Sequence, residues 1–350
     1  MKFIKNIIRQ EIAEKFAMYN DISVNRRNKI LKSASKRIID DIIPIIKNSL
    51  LRSAPAMLRE HRKLENEFRK RNRRRWKPAM DHLYMMWVIC EEAGAEFNNT
   101  YRPEAVKTND YKYEALAQLH GRALLITQEI MALLDCGFPD GALTRWRSLH
   151  EITVAACFIH EHEQETAKRY LASFEFRSQK AAHEYNLYAE RAMLKPFSSS
   201  DLSEIDDRCD ALKAEIGEAL LKYGDYDWAR PALKNSGQQR PTFLDLEKAT
   251  GLDHWRPRYR WACQHIHSGS RPDEKMLGLA EASEEMILVG ASNSGFVDPI
   301  QMTALSLNTA TSAFLTHSSS EDRLVIVMVL VDFADELSNI AIETEQKTNQ

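Results

Sequence analysis

Glycine and proline are scarce in this chain, 12 and 11 among 350 residues. A fold rich in tight turns is thereby excluded, and long tracts of Ala, Leu, Glu, Lys and Arg leave helix as the dominant expectation. No segment alternates apolar and polar residues strongly enough to read as a strand, and neither a repeat of solenoid period nor a low-complexity tract is present. Cysteine is also sparse. Cys90, Cys136, Cys157, Cys209 and Cys263 are odd in number, widely spread and contain no C-x-x-C pair, which argues against a disulfide framework and a zinc site. No metal and no cofactor is expected. Long hydrophobic runs are missing too: the run Leu324 to Val331 is too short to cross a bilayer, and the opening MKFIKNIIRQEIAEKF lacks a signal-peptide core. The expectation is an all-α, multi-helix bundle of the cytoplasm, with no membrane partner.

Charge is abundant but unevenly placed. Residues 1–78 hold 22 Lys and Arg against 8 Asp and Glu, or +14, and the remainder holds 26 against 42, or −16. Such asymmetry marks a basic arm that contacts nucleic acid, an acidic partner, or the acidic body of its own or a neighbouring chain. Residues 1–77 read as a basic helical arm and 78–345 as the main domain. The arm is expected to hold helices at Lys2 to Met18, Val24 to Ser49 with a kink or break at Pro44, and Ala56 to Trp76. In the main domain, Leu119, Ala123, Ile126, Ile130 and Leu133 step by four and three, a helical stripe that ends at Gly137. The four-residue link GFPD then predicts an antiparallel neighbour. Further helices are expected at Gln164 to Ala192, Asp201 to Lys222 with Asp201 as cap, Pro272 to Leu288, Pro299 to Thr316 and Arg323 to Glu343. Tyr223 to Pro241 reads as a loop.

The helix Gly141 to Ile159 carries an unusual load. Arg147, His150 and Glu151 fall at i, i+3 and i+4 on one side, where they can touch. Arg145 falls among Leu149, Ile152 and Ala156, so it must reach an acid or a polar pocket on a neighbouring helix. One reading makes these residues structural ion pairs that hold register, with Glu151 as partner of Arg147. A second reading makes them a site.

Two further clusters are basic. LDHWRPRYRWACQHIHSGSRP, 252–272, holds His254, Arg256, Arg258, Arg260, His265, His267 and Arg271 with Asp253 as its single acid. Without a carboxylate or cysteine cluster a metal site is a poor fit. An anion site binding phosphate or lining an RNA path suits the charge, and a satisfied core cluster is the alternative. FRKRNRRRWK, 68–77, contains Arg69, Lys70, Arg71, Arg73, Arg74, Arg75 and Lys77, and could neutralise phosphates with Trp76 stacking on a base. A solvated run, or a strap onto an acidic body, is the competing reading.

Arg145 and His150, separated by four residues, resemble the motif of the HEPN superfamily, helical bundles that include metal-independent ribonucleases of toxin and antiviral systems. The resemblance implies that His150 helps an RNA 2′-hydroxyl attack its neighbouring phosphate while Arg145 holds phosphate charge. Two features depart from it. Trp146 stands where a polar residue is common, and on a regular helix the two residues lie roughly 140° apart, so they converge only across a distorted helix or a dimer interface. Over Trp76 to about Glu336, the segments WKPAMDHLYMMWVICEEAGAEFN, LLDCGFPDGALTRWRSLHEITVAACFI, RYLASFEF, PTFLDLEKATGLDHWRPRYRWACQHIHSG and GASNSGFVDPIQMTALSLNTATSAFL resemble a bacterial domain-of-unknown-function family, number fifty-six seventy-seven. That resemblance implies a helical protein often met near mobile elements or defence genes. It carries Arg145, Arg147, His150, Glu151, His254, Arg256, Arg260 and His267 onto this chain. His265 departs from the pattern, which places histidine at Gln264.

The functional expectation is a HEPN-like, metal-independent endoribonuclease of a toxin or antiphage system. Arg145 and His150 would be catalytic, Arg147 and Glu151 would support them, and His254, Arg256, Arg260, His267, Arg71, Arg73, Arg74 and Arg75 would hold RNA. The alternative is a non-catalytic helical module that recognises an anionic ligand, nucleic acid or a partner protein. A homodimer is expected, with the basic arm contacting a partner.

Overall fold

The computed structural model describes residues 24–217, 225–233, 240–266 and 276–347. Among them nine α-helices and no strand occur: α1 Val24–Thr108, α2 Tyr111–Asp135, α3 Pro139–Glu161, α4 Gln164–Tyr188, α5 Ser199–Ile216, α6 Phe243–Ala249, α7 Arg256–Gln264, α8 Val297–Leu315 and α9 Glu321–Gln346. The protein is all-α. None of the described helices is long and apolar enough to cross a membrane.

The chain divides into two units, residues 1–70 and 71–350. In the first, the described side chains are nearly all exposed, and Ile43, Leu50, Met57 and Leu64 recur every seven residues at roughly half exposure. The expected helix over 2–18 lies outside the described residues. The break expected near Pro44 and the new start at Pro78 are both replaced by one helix that continues through each proline. A proline inside a helix removes one hydrogen bond and costs about 3 kcal/mol, and neighbouring good helix formers and, around Pro78, tertiary burial offset it. Ala79 and Leu83, just after Pro78, are fully buried. The second unit begins seven residues before Pro78, because Asn72, Arg75 and Trp76 already belong to its packing. Trp76 is 0% exposed, stacks on Phe296 at 4.7 Å and donates its indole N–H to the carbonyl of Asn293 at 2.8 Å.

The second unit is built around α2, α3 and α8, which pack against one another, with α9 along α8 and α4 against α2. Helix α2 stops where Gly137 takes φ 84°, and the Gly137 and Phe138 amides cap the carbonyls of Leu134 and Leu133. Pro139 opens α3 at once, so the short link folds α3 back along α2. Trp146 then ties α3 to α8 by donating to Met302 O and Ser306 Oγ, each at 3.0 Å.

Asp110 joins three helix ends. It caps α2 through the Tyr113 amide, accepts from Gln164 of α4, and meets His317 Nε2, just beyond α8, at 2.7 Å. Burial opposes its charge, but these hydrogen bonds and His317 prevail and hold its carboxyl at about 2.

Two other boundaries differ from expectation. The cap of α5 is Ser198, paired with Asp201 in a capping box, three residues before the expected cap at Asp201. The helix expected over 272–288 is absent from its described part: Leu277–Leu279 is a single 3₁₀ turn followed by irregular chain. Asp140 near the start of α3 accepts from the amides of Leu277 and Gly278, which holds that segment in a turn.

Candidate functional site

The charged helix α3 meets α6 and α7, and the periodicities of these short helices decide what reaches the junction. In α6 a capping box of Thr242 and Asp245 sets the helix start. Phe243, Leu246 and Glu247, at i, i+3 and i+4, then share the buried face. In α7, opened by Pro257 near its first turn, Tyr259 and Ala262 are buried, and Cys263 lies on the same side. Arg256, Arg260 and Gln264 recur every four residues with Pro257 and Trp261 beside them, which makes the other face of α7 polar and open.

At the inner face, His150 Nε2 lies 3.0 Å from Glu247 Oε1, with the two side chains 2% and 0% exposed. The second carboxylate oxygen of Glu247 accepts from Arg256 at 2.6 Å. Trp146 stacks on the His150 ring at 5.2 Å, and Phe243 and Tyr259 lie within 6 Å of it. A buried carboxylate is tolerable only with such partners, and here a guanidinium and an imidazole divide its two oxygens. The Arg256 guanidinium also lies over the Tyr259 ring at 5.2 Å, and its Nε is buried without a hydrogen-bond partner among the described residues.

Next to this pair sits a more open group. Arg147 contacts Glu151 at 2.7 Å, donates to the Tyr259 hydroxyl at 3.0 Å and approaches Cys263 Sγ at 3.1 Å. Tyr259 in turn donates to Glu151 at 2.5 Å. The Arg147 and Glu151 side chains are 28% and 30% exposed. Burial pushes the Tyr259 phenol well above its ordinary range and the Glu151 carboxylate pushes it further, so Tyr259 remains a protonated donor. For Arg147, burial opposes the charge but Glu151 outweighs it and raises the pKa.

Arg145 is not part of either group. It points away to Glu129 of α2, with which it forms an ion pair, and its Nη1 reaches Ser148. Arg145 and His150 therefore face different neighbours, as their spacing of five residues on a regular helix requires, and the arginine–histidine pair is not assembled within the chain.

The outer face of α7 borders a cleft of about 570 Å³ lined by Leu244, Asp253, Arg256, Pro257, Arg260, Trp261 and Gln264. Arg258 turns aside to pair with Asp298 at 2.9 Å while lying over the Trp261 ring. Among the described residues Arg260 has no ion-pair partner and is exposed. His254 is exposed beside the cleft, its Nδ1 2.9 Å from Gly251 O. His265 turns from the cleft toward Asp140, at 3.3 Å. His267 and Arg271 lie outside the described residues.

The basic run before α1's buried half is divided between packing and solvent. Arg73 pairs with both oxygens of Asp135, and Arg75 with Glu281 and the carbonyl of Asn293. Arg71 and Arg74 are exposed. Trp76 is a core residue, so it offers no face to a base. No group of three His, Cys, Asp or Glu side chains among the described residues could hold a metal ion.

Glu129, Glu247, Phe243, Tyr259 and Cys263 escaped sequence reasoning. For Glu247 a signal existed: it falls on the apolar stripe with Phe243 and Leu246, the same anomaly that singled out Arg145. Tyr259 resembled an ordinary core aromatic.

No curated protein and no solved structure matches the chain. Residues 113–284, which contain α3, α6, α7 and the cleft, match the model of a family of unknown function, DUF5677.

Proposed function

We propose that this protein is a non-catalytic helical binding module that takes an anionic ligand on the outer face of α7. The observation that carries this is the cleft itself: Arg260, with no ion pair among the described residues, stands beside Arg256 and Trp261 in an open space of about 570 Å³. A volume in that range suits a small ligand or a segment of a larger one. Arginine is the residue best fitted to hold a phosphate or carboxylate by paired hydrogen bonds. Beneath it, Glu247 holds Arg256 from the inside, so this one cation of the rim is in place before any ligand arrives.

Inorganic pyrophosphate is a suitable probe. Calorimetric titration of the full chain is expected to show saturable binding that weakens at least about tenfold in Arg260→Glu, because a hydrogen bond to a charged group contributes about 1.5 to 3 kcal/mol. No binding to the wild type, or equal binding to both, overturns the proposal.

A second reading, an RNA-cleaving enzyme of a toxin or antiphage system, is favoured by the Arg147, Glu151 and Tyr259 group. It places a cation, a carboxylate and a phenol in mutual contact with part of their surface open to solvent. Here Arg147 would hold phosphate charge and Glu151 would take a proton, while the buried His150 would stay outside the reaction. RNA cleavage in the presence of EDTA that disappears in Glu151→Gln supports it. Absence of cleavage by the wild type with tRNA and total RNA removes it.

A further inference from the structure

The cleft on α7 is not a bare cationic patch, and its lining describes a ligand of two unlike ends. Arg256 and Arg260 occupy one side. Asp253 stands in the turn ahead of the helix, and Gln264 one turn beyond Arg260. Beside the arginines, Asp253 favours a ligand that also brings hydrogen-bond donors over a bare polyanion, which the arginines alone would hold. A ligand that fits must bring hydrogen-bond donors to that carboxylate and negative charge to Arg260. Between the polar groups lie Leu244, Pro257 and the half-buried Trp261, which give the cleft apolar surface and an aromatic ring. Arg258 lies over the Trp261 ring, its guanidinium 5.6 Å from the ring centre, and is itself held by Asp298, which restrains the indole. Gln264 can both donate and accept, as the edge of a heteroaromatic base requires.

Building on the anion-binding function proposed above, we propose that the α7 cleft binds a nucleoside 5′-phosphate unit, with the phosphate at Arg260, the base against Trp261 and the ribose hydroxyls donating to Asp253. A purine or pyrimidine ring on tryptophan is stabilised irrespective of its identity, and the loss of one such stack weakens binding by about tenfold or more. Arg256 contributes less than Arg260, because one of its nitrogens is committed to Glu247. The same unit exists as a free nucleotide and, with the 3′-oxygen esterified and the 2′-hydroxyl left to donate, as the 5′-phosphorylated end of an RNA strand.

The experiment is a titration of the full chain with four probes: inorganic phosphate, ribose 5-phosphate, a mixture of the four nucleoside 5′-monophosphates, and a 5′-phosphorylated RNA trinucleotide. The monophosphates are expected to bind at least about tenfold tighter than ribose 5-phosphate, and ribose 5-phosphate tighter than phosphate. Trp261→Leu is expected to erase the first difference and Trp261→Phe to restore most of it. Asp253→Asn is expected to reduce the second. Because Trp261→Phe keeps an aromatic ring at the same place, its recovery separates loss of stacking from loss of folding. A trinucleotide about tenfold tighter than the free monophosphates assigns the strand end, and equal affinity assigns the free nucleotide. If all phosphorylated probes bind alike and Arg260→Gln still weakens them, the anion site stands and the nucleotide assignment fails. If none binds, both fail.

Discussion

His120 is the clearest case of one side chain imposing a property on the molecule. It is buried against Phe314, its Nε2 has no hydrogen-bond partner among the described residues, and burial pulls its pKa from 6.5 down to about 4. The unfolded chain therefore takes up the proton first as acid is added, and stability declines from about pH 6.5 to about pH 4, by up to about 3 kcal/mol. Urea unfolding of His120→Leu across that range is expected to show a flatter profile than the wild type; an unchanged slope would contradict the burial argument. Gly94 lies directly against this ring, and a Cβ there would overlap His120 Cε1, so Gly94→Ala should also destabilise. At the candidate site, Glu247→Ala removes the shared partner of His150 and Arg256, and breaking a buried pair costs about 3 to 5 kcal/mol. Denaturation midpoints would register it. A loss below 1 kcal/mol would mean that His150 and Arg256 find other partners.

Among the elements, the ends of helices carry much of the specific bonding. Asp110 holds the start of α2 to the starts and ends of its neighbours, with a folded-state pKa of about 2 against an ordinary 3.8. Its stabilisation, about 2 kcal/mol, is complete above the ordinary value and disappears as the pH falls toward 2. Asp110→Asn is accordingly expected to lower stability at pH 7 and to have little effect near pH 2, a contrast that thermal unfolding at the two pH values would measure. Helix α1 illustrates the reverse case, where packing overrides a local signal. Pro78 is a helix breaker by propensity, yet the helix passes through it because Trp76, Ala79 and Leu83 are buried on one side. Trp76→Ala is therefore expected to cost about 3 to 5 kcal/mol, far more than an RNA-stacking role for an exposed tryptophan would imply. Calorimetric melting of this variant decides between the two.

For the whole molecule, the charge split between residues 1–78 and the rest makes any self-association strongly dependent on ionic strength. The homodimer expected from the sequence is tested by light scattering of the intact chain in rising salt. A mass that falls with salt supports an electrostatic dimer, and a monomer at micromolar concentration in low salt rejects it. Truncation adds a structural check on the second unit. Removing residues 1–70 should leave its melting temperature nearly unchanged, whereas removing 1–76 should lower it, because Asn72 caps the last carbonyls of α2 and Trp76 fills the core.

Composition and periodicity by themselves determined the helical class, the antiparallel turn at Gly137, and the anomaly of charged residues in α3. These are local properties: a missing turn former, an apolar stripe or a misplaced arginine is visible along a single helix. Even the contact of Arg147 with Glu151 follows from i, i+4 geometry. What only the tertiary structure decided is which group answers each charge. Arg145 turns to Glu129, His150 to Glu247, and Trp76 into the core, through contacts between helices distant in sequence. The same holds for the open cleft on α7, which exists because Tyr259 and Ala262 are drawn inward and leave Arg260 and Trp261 on the other side. A helix in isolation presents all its faces equally; packing against α3 selects which one is buried and which one remains for a ligand.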